Sequence, residues 1–505
     1  MALDIGRRAF EHEVRRAAVE GRPVPRVAIV GAGLSGLATA IQLARSGVRS
    51  FTIIEQSDGV GGTWRDNTYP GAACDVPSHL YSLSFAPKTD WSRRFAEQPE
   101  ILAYAEGLVD RFQLGPHLRL GTTVDRAAYD EATGTWQIDV TGPDGTDAIE
   151  ADTLIIGCGQ LNRPHLPDID GIGTFAGPSF HSARWDHGVE LSDKRVGVIG
   201  SGASAIQFVP PVAAQAAGTV IFQRSPNYVG PKKDRAYRSA TRALLQRVRP
   251  VERAYRAWIY LSLESRWLWL KKDSLAGRKL RDLFVKGLRD AVVGDRLPEP
   301  AVVPDYPIGC KRILISNDWY PTLLRPDVQV VTEPVARIEP DAVVTGDGVR
   351  YPVDVLIYGT GFETTDFLAH LPVTGVGGAD LAGAWTEGAH AYLGVAVAGF
   401  PNCYLLYGPN TNLGHNSILF MVERQLNLVL QAMALQVAAG GTGSAVSVRT
   451  AAYERDDQRT QHLVQHTAWA GACTSWYKAA SGRITNNWPS WTLRYWWETL
   501  RLRRA

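Results

Sequence analysis

The plainest pattern along the chain is a short, almost wholly apolar run that stops at a glycine cluster and passes into a helical period. It occurs twice. Arg26-Val-Ala-Ile-Val30 leads into Gly31-Ala-Gly33-Leu-Ser-Gly36, after which Leu37, Ile41 and Leu43 follow a helical pattern and Phe51-Thr-Ile-Ile54 forms a second apolar run. Lys194-Arg-Val-Gly-Val-Ile-Gly200-Ser-Gly202-Ala-Ser204-Ala205 repeats the design, with Thr219-Val-Ile-Phe222 as its second run. Each run reads as a compact strand, and each glycine cluster as the turn from strand to helix. Two further apolar runs, Leu154-Ile-Ile-Gly-Cys-Gly159 and Val355-Leu-Ile-Tyr-Gly359-Thr-Gly361-Phe362, also close on glycine. Between them the pattern turns helical and mixed over 240–248, 251–270 and 275–293, where Tyr255, Trp258, Leu261 and Leu263 suit packed helices. The expectation is an α/β fold: two Rossmann-like dinucleotide-binding domains with an inserted helical subdomain.

A chain of 505 residues exceeds what one hydrophobic core supports, in keeping with two or three domains. Its net charge of +2 provides no overall field to recruit nucleic acid or membrane. Five scattered cysteines, Cys74, Cys158, Cys310, Cys403 and Cys473, contain no C-x-x-C pair. That dispersion argues against a disulfide framework, a structural zinc site or a dithiol reductase, and no metal site is expected. The first 26 residues are charged throughout, unlike a signal peptide, and no stretch reads as a membrane span; 258–270 is the most apolar helical candidate. A cytoplasmic protein is the expectation.

The first glycine cluster carries specific mechanical assignments. Gly31 permits the tight turn, Gly33 lets backbone approach a pyrophosphate, and Gly36 allows helix to pack on strand. The helix N-terminus presents free N–H groups to phosphates, and Glu55 lies where a carboxylate accepts ribose hydroxyls. In the second cluster Ala205 replaces the third glycine, and the strand ends in Gln223-Arg224-Ser225 instead of an acid. A carboxylate there would repel a 2′-phosphate, whereas guanidinium and hydroxyl bind one, so NADPH is expected over NADH, with Lys311 as a third reader. Trp258, Tyr260, Trp267 and Trp269 could line an apolar pocket, or mark a membrane-facing amphipathic helix, but fit a packed core better.

Between the two clusters stands Phe175-Ala-Gly177-Pro-Ser-Phe-His181-Ser-Ala-Arg-Trp185-Asp186. It resembles the fingerprint of type I Baeyer–Villiger monooxygenases, and Gly61-Gly62-Thr63-Trp64 with Asn67, Tyr69-Pro70-Gly71 and Asp75 resembles that family's second FAD segment. The resemblance runs from about Arg26 to Pro489 with motifs in family order; Leu154–Gly159 reads Gly-Cys-Gly where Ala-Thr-Gly is commoner. It implies FAD and NADPH as cofactors. Residues 1–165 and 385–505 would form the FAD domain, 166–230 and 305–384 the NADPH domain, and 231–304 the helical subdomain by the substrate entrance. It implies a C4a-peroxyflavin that attacks a ketone to give an ester or lactone, with Arg312 catalytic and Asp75 orienting it. Gly62, Thr63, Trp64, Tyr81, Asn410 and Asn412 join the flavin contacts, and Gly200, Gly202 and Ser204 the second nucleotide. By the same resemblance Phe175, Gly177, His181, Trp185 and Asp186 couple domain movement to catalysis, which makes His181 a hinge residue and no general base; His415 reads as structural. The Cys473-Thr-Ser475-Trp476-Tyr477 segment matches the family's tail, and residues 491–504 are expected to pack on the FAD domain. The partners implied are O2 and a small ketone, read as apolar from the many aromatics. Two alternatives stay open: a nitrogen- or sulfur-oxygenating flavin monooxygenase, and a flavoprotein that consumes NADPH without oxygenating.

Overall fold

The computed structural model describes residues 4–502, except 295, 296, 366, 369, 472, 474 and 480. Both apolar runs form the middle strand of a five-stranded parallel sheet. In the first sheet the order is Cys403–Leu405, Thr153–Ile156, Val27–Val30, Phe51–Ile54 and Leu118–Arg119. In the second it is Val328–Val331, Gly218–Phe222, Arg195–Ile199, Val355–Tyr358 and Ser179–His181. Val27–Val30, Thr153–Ile156 and Val355–Tyr358 are buried at every position, as a sheet covered on both faces requires. Each sheet gathers strands from distant parts of the chain, so both sheets are discontinuous in sequence.

Helix Leu34–Arg45 follows the first glycine turn and Ala205–Ala213 the second. Side chains at the turns would prevent this. A Cβ at Gly36 would collide with the Gly31 carbonyl oxygen, and one at Gly200 with that of Gly359; Gly31 (φ +97°) and Gly200 (φ +106°) also need positive φ.

The helical excursion comprises Ser239–Arg247, Arg249–Glu264, Trp267–Leu270 and Leu275–Ala291. The expected continuous 251–270 helix is broken at Ser265 and Arg266, beside the buried Glu264. Its aromatic cluster divides: Trp267 is buried, Tyr260 and Trp269 are half-buried, and Trp258 is 54% exposed. None of the four lines the main cavity described below.

Two expectations are corrected. Helix Ile418–Ala438 has the length and hydropathy of a membrane span, which the sequence reading missed. It lies inside the protein and carries Glu423, Arg424, Gln425 and Asn427 among its buried residues. The second correction is a disulfide joining Cys310 to Cys473 across 163 residues, while Cys74, Cys158 and Cys403 are free. Spacing along the chain carries no information about cysteines that only the tertiary fold brings together. Within the C-terminal segments, Thr474 and Arg504 lie outside the described residues.

Helix Ile418–Ala438 also fastens both ends of the chain. Asn427 Oδ1 accepts the Gly6 N–H at 2.8 Å and its Nδ2 donates to the Thr499 carbonyl at 2.8 Å. This anchors the N-terminal helix Ile5–Val19 and the C-terminal helix Thr492–Glu498. Asn427→Ala leaves a buried donor and acceptor unpaired and is expected to cost about 2–4 kcal/mol; an unchanged melting temperature would refute that anchoring role.

Candidate active site

Both glycine turns open onto one cavity of about 1350 Å³. Single-ligand sites span roughly 300–1,000 Å³, so the volume suits more than one dinucleotide-sized molecule. On the first side Gly33 and Gly62 face each other with bare backbones: a Cβ on Gly62 would stand 3.2 Å from Gly33 Cα. That cradle is space a side chain would fill. Glu55 Oε2 accepts the Ala32 N–H of the turn at 2.7 Å and Oε1 that of Ser57 at 2.9 Å, leaving lone pairs on a carboxylate at the cavity wall. Trp64 Nε1 donates to Tyr81 Oη at 3.0 Å, and burial raises the Tyr81 pKa, keeping it a neutral phenol. Thr63 and Asn412 complete this side.

On the second side Gly200, Gly202 and Ser204 line the wall beside Arg224, Ser225 and Lys311. Lys311 Nζ donates to Ser225 Oγ at 2.6 Å and lies 4.5 Å from the centre of the Tyr306 ring. Burial, then the neighbouring Arg224, lowers the Lys311 pKa. Three donors with two cationic centres therefore converge at the end of Gly218–Phe222, an arrangement an anion would stabilise.

Arg312 and Asp75 meet where the two sides join. Arg312 Nη2 donates to Asp75 Oδ2 at 2.5 Å, and both side chains reach the cavity. The Arg312 pKa is raised, chiefly by the Asp75 charge. Each partner is held independently. Cys310, two residues before Arg312, is bonded to Cys473, and Leu314–Ile315, just after it, pairs with Val229–Gly230. Asp75 follows Cys74, whose N–H donates to the Ala96 carbonyl at 2.9 Å, and Ala73, whose carbonyl accepts from Gln207 Nε2 at 3.0 Å. Gln207 stands on the helix after the second glycine turn, so it ties that helix to the Asp75 segment.

The comparisons with known proteins agree with this geometry. A family model described as flavin-binding monooxygenase-like matches residues 24–247. The chain is 41% identical over 482 residues to a Baeyer–Villiger monooxygenase of Streptomyces coelicolor, covering 94% of this chain and 91% of that one. It is 39% identical over 490 residues to a Baeyer–Villiger monooxygenase of Pseudomonas aeruginosa, covering 95% and 92%. The chain belongs to the Baeyer–Villiger monooxygenase family. An oxidized steroid monooxygenase bound to NADP superposes with a TM-score of 0.83 at 31% identity, covering 95% of this chain and 97% of that one.

In this Baeyer–Villiger monooxygenase the fingerprint residues stand behind the cavity wall instead of on it. A Cβ at Gly177 would stand 2.5 Å from the Asp354 carbonyl oxygen and 2.9 Å from the Phe175 ring, so close packing explains the glycine. Trp185 packs on Phe180 and Phe208, and Asp186 Oδ1 caps a surface turn by accepting the Gly188 N–H at 2.9 Å. His181 closes a strand paired with Val355–Tyr358, the strand that runs into Gly359-Thr-Gly361-Phe362 on the wall. Its Nδ1 accepts the Ala183 N–H at 3.1 Å, which places the ring proton on Nε2.

Other assignments also move off the wall. Gly36 and Ala205 are packing positions, and Asn410 Nδ2 donates to the carbonyls of Ile484 (2.9 Å) and Asn487 (3.2 Å). His415 is buried 3.5 Å from Glu264. Sequence reasoning missed Gln207, Tyr407, Gln160 and Lys478, which line the cavity. Tyr407, for example, donates to Asn412 Oδ1 at 2.7 Å but sits outside any glycine or fingerprint pattern.

Burial lowers the His181 pKa from 6.5 to about 4. As pH falls through that interval the unfolded chain takes up a proton that the folded chain refuses, so stability declines by up to about 3 kcal/mol. Thermal melts of the wild type are therefore expected to drop more steeply than those of His181→Gln between pH 6.5 and 4; parallel curves would contradict a neutral buried ring. Gly36→Ala is expected to give protein depleted of flavin, read from its visible absorbance, whereas full flavin occupancy would show that the close packing is dispensable.

Proposed function

We propose that this chain is an FAD-containing, NADPH- and O2-dependent Baeyer–Villiger monooxygenase that converts an apolar ketone, cyclic or a biosynthetic intermediate, to an ester or lactone. The observation that carries the reading is the Arg312–Asp75 pair, fixed at 2.5 Å on the wall of a cavity shared by two glycine turns. Its compartment would be the cytoplasm, the source of NADPH.

The residues present fit both cofactors. Gly31, Gly33, Gly62, Thr63, Trp64, Tyr81, Glu55 and Asn412 would hold FAD, and Gly200, Gly202, Ser204, Arg224, Ser225 and Lys311 would hold NADPH. Residues 1–165 with 385–505 would serve the first, 166–230 with 305–384 the second, and 231–304 the substrate side. When bound, the flavin carries electrons from NADPH to O2 and supplies the oxygen atom to be inserted.

The chain's own part is electrostatic. Arg312 keeps its charge across the accessible pH range, and Asp75 occupies one edge of its planar fork, aiming the remaining N–H groups at the cavity. A fixed cation there would stabilise negative charge developing on the reacting oxygens without reorganising at the moment of reaction. Asp75 is thus a positioning residue. Phe175, Gly177, His181, Trp185 and Asp186, behind the wall, would link the second sheet's movement to that pair. A heteroatom-oxygenating enzyme or a non-oxygenating flavoprotein would have no use for a cation held in this way.

The test uses the purified holoenzyme with cyclohexanone and 2-decanone as probe ketones. Arg312→Ala is expected to lower ester or lactone formation by about 10²–10³-fold while NADPH oxidation continues and its electrons appear as hydrogen peroxide. Undiminished oxygenation by Arg312→Ala would defeat the assignment. Arg224→Ala is expected to raise KM for NADPH by roughly tenfold or more with little change for NADH; equal effects on both would remove Arg224 as the 2′-phosphate reader.

A further inference from the structure

The chain's net charge of +2 conceals a strong asymmetry. Residues 231–304 contain 18 Lys and Arg against 8 Asp and Glu, a net of +10, so the remainder carries −8. The same 74 residues hold eight of the fifteen exposed large apolar side chains among the described residues. Those residues form a pattern. Val251, Trp258 and Leu261 recur along one side of helix Arg249–Glu264, whose opposite side buries Ile259 and Leu263. Leu244 and Val248 extend the exposed set before it, and Leu268, Leu275 and Leu283 after it, with Leu275 at 69% exposure.

A second element adjoins this surface. Glu264, at the end of the same helix, accepts hydrogen bonds from Thr492 Oγ1 at 2.6 Å and the Leu493 N–H at 3.2 Å, while Tyr260 Oη shares one with Thr492 Oγ1 at 2.7 Å. The C-terminal helix Thr492–Glu498 is thereby docked beside it, and Leu493 and Trp497, one turn apart, are exposed, Trp497 at 67%. Cations are interleaved with the apolar groups: Arg247, Arg249, Arg253, Lys271, Lys272 and Lys279 are exposed and form no ion pair among the described residues.

We propose that this face is a peripheral docking surface for an anionic phospholipid bilayer, with Trp258, Leu261 and Trp497 entering the headgroup region and the surrounding Lys and Arg contacting lipid phosphates. Charge complementarity selects this occupant. An acidic membrane surface attracts a +10 segment and repels the −8 remainder, which orients the molecule as well as binding it. The exposed Leu and Val discriminate against nucleic acid, whose phosphates and bases would leave them in water, and a second copy of the same basic face would meet like charge. Exposed Trp and Leu among Lys and Arg are the composition of interfacial amphipathic helices. The proposal involves peripheral contact only; the long apolar helix Ile418–Ala438 is 78% buried and takes no part.

The test is flotation of the full-length holoenzyme with vesicles of phosphatidylcholine alone or with roughly 30% phosphatidylglycerol, at roughly 50 and roughly 500 mM NaCl. Binding is expected to the anionic vesicles, at least about tenfold above phosphatidylcholine, and to weaken at high salt. Trp258→Ala combined with Leu261→Ser should reduce it by about tenfold, with flavin content and NADPH oxidation unchanged. Arg249→Glu with Arg253→Glu should reduce it as far. No vesicle binding at low salt overturns the proposal, and so does salt-sensitive binding that the Trp258/Leu261 variant leaves intact, because the apolar stripe would then be idle. Concentration-dependent dimerisation abolished by that same variant would also overturn it, in favour of a second copy of the chain.

Discussion

An arginine and a carboxylate 237 residues apart can share a 2.5 Å hydrogen bond only if several independent segments are held in register. Asp75 belongs to the loops that follow the first glycine turn, whereas Arg312 follows the helical excursion inserted in the second sheet. Their meeting point depends on how the two parallel sheets are placed relative to each other. Gln207 contributes from the second nucleotide helix by gripping Ala73, and the Cys310–Cys473 bond contributes from the C-terminal segment. A small rotation between the halves would separate the pair and leave a guanidinium facing a cavity without its counter-charge. The fingerprint strand belongs to the same frame: it edges the second sheet and stands behind the cavity wall.

The cavity wall carries charge of both signs, grouped by place. Arg224, Lys311, Arg312 and Lys478 line one cavity with Glu55, Asp66, Asp75, Asp168, Glu333 and Glu363; Glu55 already serves two backbone N–H groups, and Arg224 and Lys311 are grouped at the second nucleotide turn. Lys311 registers the strain of that grouping in its lowered pKa, caused first by burial and then by Arg224. A phosphate in the cavity would relieve it. On the proposed function, affinity for an anionic cofactor at Arg224 and Lys311 and stabilisation of a developing oxyanion at Arg312 would both draw on fixed local cations.

Charge is distributed just as unevenly at the scale of the whole chain. A net value near zero arises from a basic helical excursion and an acidic remainder, and the excursion also keeps a disproportionate share of the exposed apolar side chains. Average composition cannot reveal this, because it sums over faces that point in different directions.

What the sequence by itself determined was local. Gly31, Gly36 and Gly200 are legible because the turn geometry excludes a Cβ whatever surrounds it, and the apolar runs because a strand covered on both faces tolerates little else. The motif order was enough to identify the family. The tertiary structure alone decided which distant groups meet: Cys310 with Cys473, Tyr407 with Asn412, and Gln207 with the Asp75 segment. It also decided facing. Trp258 and Trp267 occupy one aromatic stretch, yet one is exposed and the other buried, and Asn410 turns away from the cavity that Asn412 lines. Backbone sterics act between near neighbours and leave a mark on each residue, whereas proximity and orientation in space are properties of the completed fold.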